Sequence, residues 1–263
     1  MIDTSDKKII VFDLDGTLAE SKQVLGLEMA ELLARLAGQK KVAVISGGSY
    51  RQFQKQFLPT WREILNERPA EEVQSLNENL FLLPTSGSQI YGYNQKMGDW
   101  QILAQEDFPA ELKEKVKKVF ETIVESADYD IPTESYGEQL EDRGTQITFS
   151  ALGQDAPLGK KKIWDPNQVK RQKIKKFLEQ EIPEADVSIG GATSIDVLPK
   201  GFNKAVGLQK LLDLLFLEKN DLIFVGDALF PGGNDYSAFV AGFETVKVEN
   251  PLETSDLIGK FLS

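Results

Sequence analysis

Asp13 and Asp15 stand two residues apart in Asp13-Leu14-Asp15-Gly16-Thr17-Leu18, directly after the apolar run Ile9-Ile10-Val11-Phe12. Taken alone, an Asp-x-Asp pair is most simply a solvated acidic turn. At the end of an apolar strand, with Gly-Thr following, two carboxylates would repel one another unless a cation lay between them. Around a cation they can divide the work of phosphoryl transfer. Asp13 can attack phosphorus and form an aspartyl-phosphate. Asp15 can give the leaving oxygen its proton and then activate the water that hydrolyses the intermediate.

Three further groups suit the same chemistry. Ser46-Gly47-Gly48-Ser49 follows the apolar run Val42–Ile45. Its Ser46 hydroxyl and the backbone N–H groups bared at Gly47 can hold phosphate oxygens, although a plain strand-to-helix turn explains the same residues. In Gly201-Phe202-Asn203-Lys204, Asn203 reads as a helix N-cap and puts Lys204 in the first turn. A cation there opposes the helix dipole by a few tenths of a kcal/mol, which a phosphate beside it would offset. The bland alternative is an exposed surface lysine. Gly226-Asp227 follows Leu222–Val225 and leads into Pro231-Gly232-Gly233-Asn234-Asp235. Asp227 can complete a Mg²⁺ site with Asp13 and the main-chain carbonyl of Asp15. Asn234 and Asp235 are expected behind these ligands, unless Asp235 only caps the next helix. A phosphate about 5 Å from a carboxylate costs roughly 3 kcal/mol per pair at an effective dielectric near 20, so an anionic substrate requires the divalent cation.

Composition narrows the chemistry in the same direction. The 263 residues include neither cysteine nor histidine. Thiolate nucleophiles, thiolate metal sites and imidazole bases are therefore excluded, leaving carboxylates, lysine, hydroxyls and a hard oxygen-bound cation. The net charge of −11 argues against a nucleic-acid partner. No apolar run is long enough for a membrane span. The opening Met1–Lys8 lacks the apolar core of a secretory signal, so the cytoplasm is the expected location.

The elements that must position these residues alternate. Ile9–Phe12, Val42–Ile45 and Leu222–Val225 are short, branched and apolar on both faces, as strands of a covered parallel sheet are. Between them, Leu25–Leu36 and Val206–Leu215 carry helical stripes. This is the pattern of a doubly wound, Rossmann-like α/β core. The middle differs. Lys113–Glu125 reads as a helix, Gln146–Leu152 alternates as a strand, Asp165-Pro166 reads as a helix start with proline at the first position, and Val187–Val197 reads as a hairpin turning at Gly190-Gly191. These spacings predict an α+β cap domain at 92–197 inserted into a core formed by 1–91 and 198–263. Pro59–Asn79 reads as a polar helical excursion of that core.

In this order the four groups resemble the haloacid dehalogenase superfamily. More narrowly, Ser188–Lys204 and Val225–Asp235 resemble the eukaryotic phosphomannomutases, and the resemblance spans nearly the whole chain. It implies a class IIB cap whose residues hold a sugar and its distal phosphate. Arg143, Ser194 and Asp196 match cap positions that bind a hexose phosphate. Lys22, Gln154 and Lys161 stand where the family has further phosphate-binding arginines. Losing guanidinium forks weakens a distal grip that a mutase needs and a phosphatase does not. The expectation is therefore a hexose-phosphate phosphatase, with a true phosphomannomutase as the alternative. A non-catalytic sugar-phosphate sensor on this fold is a distant alternative, which loss of Asp13 or Asp15 would have indicated, and a receiver domain would lack the inserted cap. The partner is a small phosphorylated sugar; the oligomeric state is left open, a homodimer included.

Overall fold

The computed structural model describes residues 6–106, 108–190 and 192–263, the Leu158 side chain apart. The chain forms two compact units, one from Met1–Gln105 with Asn203–Ser263 and the other from Glu106–Phe202. In the first, β1 (Ile9–Asp13), α1 (Leu27–Ala37), β2 (Lys41–Ile45), α2 (Tyr50–Gln56), α3 (Leu58–Leu65), α4 (Ala70–Glu78), β3 (Leu80–Leu83), β4 (Gln89–Asn94) and β5 (Asp99–Gln105) follow one another. The inserted unit contributes α5 (Ala110–Glu125), β6 (Leu140–Asp142), β7 (Ile147–Ser150), α6 (Leu158–Trp164), α7 (Val169–Glu181), β8 (Ala185–Ile189) and β9 (Ser194–Pro199). The chain then returns with α8 (Lys204–Leu215), β10 (Leu222–Gly226), α9 (Tyr236–Val240), β11 (Glu244–Lys247) and α10 (Pro251–Phe261).

The first unit is built on a seven-stranded sheet in the order β11-β10-β1-β2-β3-β4-β5. It is parallel from β11 to β3, and β4 and β5 add antiparallel. Residues Ile9 to Phe12 are wholly buried because both faces of β1 are covered. Ile10 and Phe12 pack with α1, α3 and α10, whereas Ile9 and Val11 pack with α8 and Phe224. Register sets the site. Phe12 lies beside Val225 on one side and Val44 on the other, and Asp13 lies beside Ile45. The carboxyl ends of β1, β2 and β10 therefore finish together, which is where ligands bind in open α/β sheets.

The inserted unit has an antiparallel sheet in the order β6-β7-β9-β8. Val116, Phe120, Ile123, Ile174 and Leu178 of its helices pack with Ile147, Phe149, Val187, Ile195 and Val197. The intervening positions of β7 and β9 are Thr148, Ser150, Ser194 and Asp196, joined to one another across the strands. Period-two alternation thus gives this sheet one apolar and one polar face.

Three sequence expectations change. The boundaries at 92 and 197 move to 105/106 and 202/203; at the first, β4 pairs with β3 and β5 with β4, extending the larger sheet. The helix expected to start at Asp165-Pro166 starts at Val169. Asp165 instead turns its carboxylate onto the N–H groups of Lys170 and Arg171, at 3.1 and 3.0 Å. The hairpin connection is longer than a two-residue turn and runs over 190–193, of which Gly191 lies outside the described residues. The excursion at 59–79 forms most of α3 and all of α4, and its Trp61 is fully buried, donating to Asn77 Oδ1 at 2.8 Å. Among the described residues, no helix is long and apolar enough to cross a membrane.

Candidate active site

The larger unit gathers four charged side chains at the carboxyl end of its sheet. Asp13 is the last residue of β1 and is 4% exposed. Lys204 is the first residue of α8, where the Asn203 side chain accepts from the N–H groups of Ala205 and Val206. It is no surface lysine, being 1% exposed. Its Nζ donates to Asp13 Oδ1 and, at 2.5 Å, to Asp235 Oδ1. Asp235, wholly buried, stands at the N-cap of α9, but its side chain makes no cap hydrogen bond; its other oxygen accepts from the Ala228 N–H at 3.0 Å. Asp227 follows β10 and accepts from Thr17 Oγ1 at 3.2 Å. Gly16 has φ +94°, and a Cβ there would lie 2.6 Å from Asp227 Oδ2, so only glycine lets the Asp13–Thr17 loop pass this carboxylate.

Charge at this site is out of balance. Asp13, Asp227 and Asp235 each offer an oxygen, all within 4.8 Å of one another. Two like charges at that separation repel by roughly 3 kcal/mol at an effective dielectric near 20. One ammonium faces three carboxylates. Burial pushes the Asp13 carboxyl up to about 8, with the charges of Asp235 and Asp15 adding to burial and Lys204 opposing it. Burial followed by Asp235 also raises Asp227. Burial would lower the Lys204 ammonium, yet the charges of Asp13 and Asp235 outweigh it and hold that pKa above its usual value. Three hard oxygen donors with surplus negative charge fit a hard divalent cation. Asp235 is thus a member of the cluster and not merely a residue behind it.

Asp15 is placed differently. Its carboxylate accepts from the Lys22 N–H at 2.7 Å, from Gln56 Nε2 at 3.0 Å and from Gln52 Nε2 at 3.2 Å. Lys22 meets it through the backbone, in a left-handed conformation at φ +61°, with its side chain exposed. Ser46 is buried, and its Oγ accepts from the Gly48 N–H at 3.0 Å. A Cβ at Gly47 would meet nothing within 4 Å. Asn234 is exposed, and its carbonyl accepts from Ser237 Oγ at 3.3 Å. The two glutamines of α2 do not stand out in the sequence. Their spacing of four, one helical turn, immediately after Ser46–Ser49 was the available signal.

The inserted unit carries the remaining residues. Asp196 Oδ1 accepts from Thr148 Oγ1 at 2.7 Å, and Ser194 Oγ lies 2.9 Å from Ser150 Oγ. Arg143 donates from Nε and Nη2 to Glu141 Oε2 at 2.9 and 2.7 Å. Lys161 Nζ donates to the Gln154 carbonyl at 2.8 Å, and Gln154 Nε2 is buried without an acceptor among the described residues.

A doubly wound sheet with a carboxylate at the end of its first strand, a buried lysine on it and two more carboxylates alongside defines a phosphoryl-transfer enzyme of the haloacid dehalogenase type. Solved structures share that fold. The ATP-bound IMP-nucleotidase of Plasmodium falciparum superposes with a TM-score of 0.74 at 17% identity, over 97% of this chain and 60% of its own. A haloacid dehalogenase-like hydrolase from Bacteroides thetaiotaomicron gives 0.61 at 17% identity, over 97% and 99%. The chain belongs to the eukaryotic phosphomannomutase family, whose model matches residues 29–263. A probable phosphomannomutase of Caenorhabditis elegans is 27% identical over 95% of this chain and 93% of its own length. The phosphomannomutase of Drosophila melanogaster is 28% identical over 89% and 87%.

Proposed function

We propose that this enzyme is a Mg²⁺-dependent hexose-phosphate mutase that works through a phosphoryl group on Asp13. Membership of the phosphomannomutase family carries the substrate class and the reading of isomerisation. Asp13 is the nucleophile, held by Lys204 at the end of β1. Asp15 is the acid for the departing sugar oxygen and the base for the next hydroxyl. The Ser46 loop and Lys204 hold the transferring phosphate. Asp13, Asp227 and Asp235 would hold Mg²⁺, with the Asp15 main-chain carbonyl as a further ligand; the ion supplies positive charge where charge gathers on the transferring group. Arg143, Ser194 and Asp196 take the sugar. A cytoplasmic location goes with this reading.

The sequence favoured hydrolysis because Lys22, Gln154 and Lys161 replace arginines. Two of those departures lie together. The Lys161 ammonium sits on the Gln154 carbonyl, and the Gln154 amide buries a donor that lacks an acceptor among the described residues. The Lys161 ammonium supports a distal-phosphate grip without a guanidinium. Hydrolysis stays as the second reading, since neither group is a bidentate fork.

The deciding experiment follows isomerised sugar phosphate and free phosphate in one reaction, from mannose 1-phosphate and from glucose 1-phosphate, with a hexose bisphosphate activator present. The mutase reading expects isomer to form at least about tenfold faster than phosphate, a difference of about 1.4 kcal/mol in barrier. Phosphate outrunning isomer with both sugars would make the enzyme a phosphatase.

A further inference from the structure

Asp15 is held in a way the proposed reaction does not by itself require. Helix α2 is anchored by Phe53, which is fully buried, and by Tyr50, whose ring stacks on Tyr91 at 4.0 Å. One turn apart on this helix, Gln52 and Gln56 both extend to the Asp15 carboxylate, at 3.2 and 3.0 Å. They are joined to each other as well, Gln52 Nε2 donating to Gln56 Oε1 at 2.9 Å. Gln56 is 4% exposed, and its carbonyl accepts from the Leu25 N–H at 2.8 Å, fixing the segment that also brings the Lys22 N–H to Asp15. Gln52 reaches across the phosphate-holding loop. A Cβ at Gly48 would stand 2.2 Å from Gln52 Oε1, so the second glycine of that loop leaves room for this side chain.

We infer that Gln52 and Gln56 form an amide clamp that positions Asp15 for proton transfer to and from the sugar oxygen. The inference rests on the reading of Asp15 as acid and base. In the first half-reaction an Asp13 oxygen bonds to phosphorus as the phosphorus–sugar oxygen bond breaks. The proton on Asp15 passes to the departing oxygen, leaving aspartyl-phosphate, a free hydroxyl and an Asp15 carboxylate. The clamp has to hold the carboxyl in both states. A primary amide can do so: its NH₂ donates to the carboxylate, and the same group turned over offers its oxygen to the carboxyl proton. Lysine or arginine, which only donate, would favour the carboxylate and offer no acceptor to the carboxyl proton. A pair of linked amides also restricts the carboxyl to one orientation, and the correct placement of an acid is worth roughly a hundredfold or more in rate.

The test compares esters by their need for an acid. A hexose 1-phosphate departs as a poor leaving group and needs the proton, whereas p-nitrophenyl phosphate departs as a stabilised phenolate and does not. Single-turnover phosphorylation by each ester is measured in the Mg²⁺-loaded protein for wild type, Gln52→Met, Gln56→Met and Asp15→Asn. The clamp predicts that each glutamine variant slows reaction with the hexose phosphate by about tenfold or more, with p-nitrophenyl phosphate within about twofold and KM within about threefold. A merely structural role would slow both esters alike, and that result overturns the clamp. Asp15→Asn calibrates the assay: selective slowing there without selectivity in the glutamine variants overturns the clamp alone. Equal slowing of both esters by Asp15→Asn overturns the acid assignment and the clamp with it. If Gln56→Met does not fold, the comparison of the two esters in the half-buried Gln52→Met decides between these outcomes.

Discussion

At Asp13 burial and charge pull against each other. Leaving water raises the carboxyl, Lys204 opposes that rise, and Asp235 reinforces it. The surplus is carried by Asp227 and Asp235, whose oxygens lie within 4.8 Å of those of Asp13. A cation bound there would relieve the surplus and so stabilise the folded chain. Mg²⁺ at about a hundred times its Kd adds roughly 2.7 kcal/mol to stability. We therefore expect Mg²⁺ to raise Tm by several degrees in thermal unfolding, and Asp227→Asn to lose most of that rise. An equal rise in both proteins would place the ion elsewhere. The sequence showed which residue types stand at the strand ends, because Asp13 and Asp227 each follow an apolar run. It did not show that Lys204 is buried between Asp13 and Asp235. That depends on where α8 packs, and a lysine at a helix start reads locally as a surface residue. Nor did it separate Asp235 in the cluster from Asp235 as a helix cap, since both need only a carboxylate before a helix.

Among the elements, α7 shows a local rule overridden. Asp165-Pro166 has the form of a helix start, yet Gln168 takes a left-handed conformation at φ +61° and the helix begins one residue later. The Asp165 carboxylate reaches forward to the N–H groups of Lys170 and Arg171 and to Arg171 Nε at 2.9 Å. Arg171 in turn donates to the Gly190 carbonyl at 3.3 Å, tying the helix to the β8–β9 connection. Burial would raise the Asp165 carboxyl, but hydrogen bonds from the Arg171 backbone and side chain and from the Lys170 backbone hold it below its ordinary value. A carboxyl lowered by folding stabilises the native state above its unfolded pKa, about 4, and loses that contribution as pH falls through the native value. Asp165→Ala is expected to cost about 3 kcal/mol near neutral pH, because it removes the carboxylate that faces a buried arginine. In urea unfolding, the gap from wild type should narrow below about pH 4; a gap independent of pH would contradict the pairing. Strands β1, β2 and β10 were legible because burial on both faces leaves a continuous apolar run. The expected boundary at 92 cuts β4 and leaves β5 in the insertion, because the sequence does not show which sheet a strand joins.

The whole molecule is an acidic protein that acts on an anion. A net charge of −11 gives no long-range attraction for a phosphorylated sugar. On the proposed reading, capture depends on local charge: Lys204 and a cation at the strand ends, and Arg143 and Lys161 in the inserted unit. Each unit has its own apolar core; on the proposed reading one carries the phosphoryl chemistry and the other reads the sugar. The mutase and phosphatase readings share one covalent intermediate, so both stand or fall on Asp13. The most direct measurement mixes the protein with Mg²⁺ and a hexose 1,6-bisphosphate, quenches in acid, and locates the added phosphoryl group by peptide mass. The expected result is one phosphoryl group, on Asp13, and none in Asp13→Asn with its circular dichroism spectrum unchanged. A phosphoryl group on another residue, or turnover by Asp13→Asn within about tenfold of wild type, would contradict the assignment of Asp13 as the nucleophile.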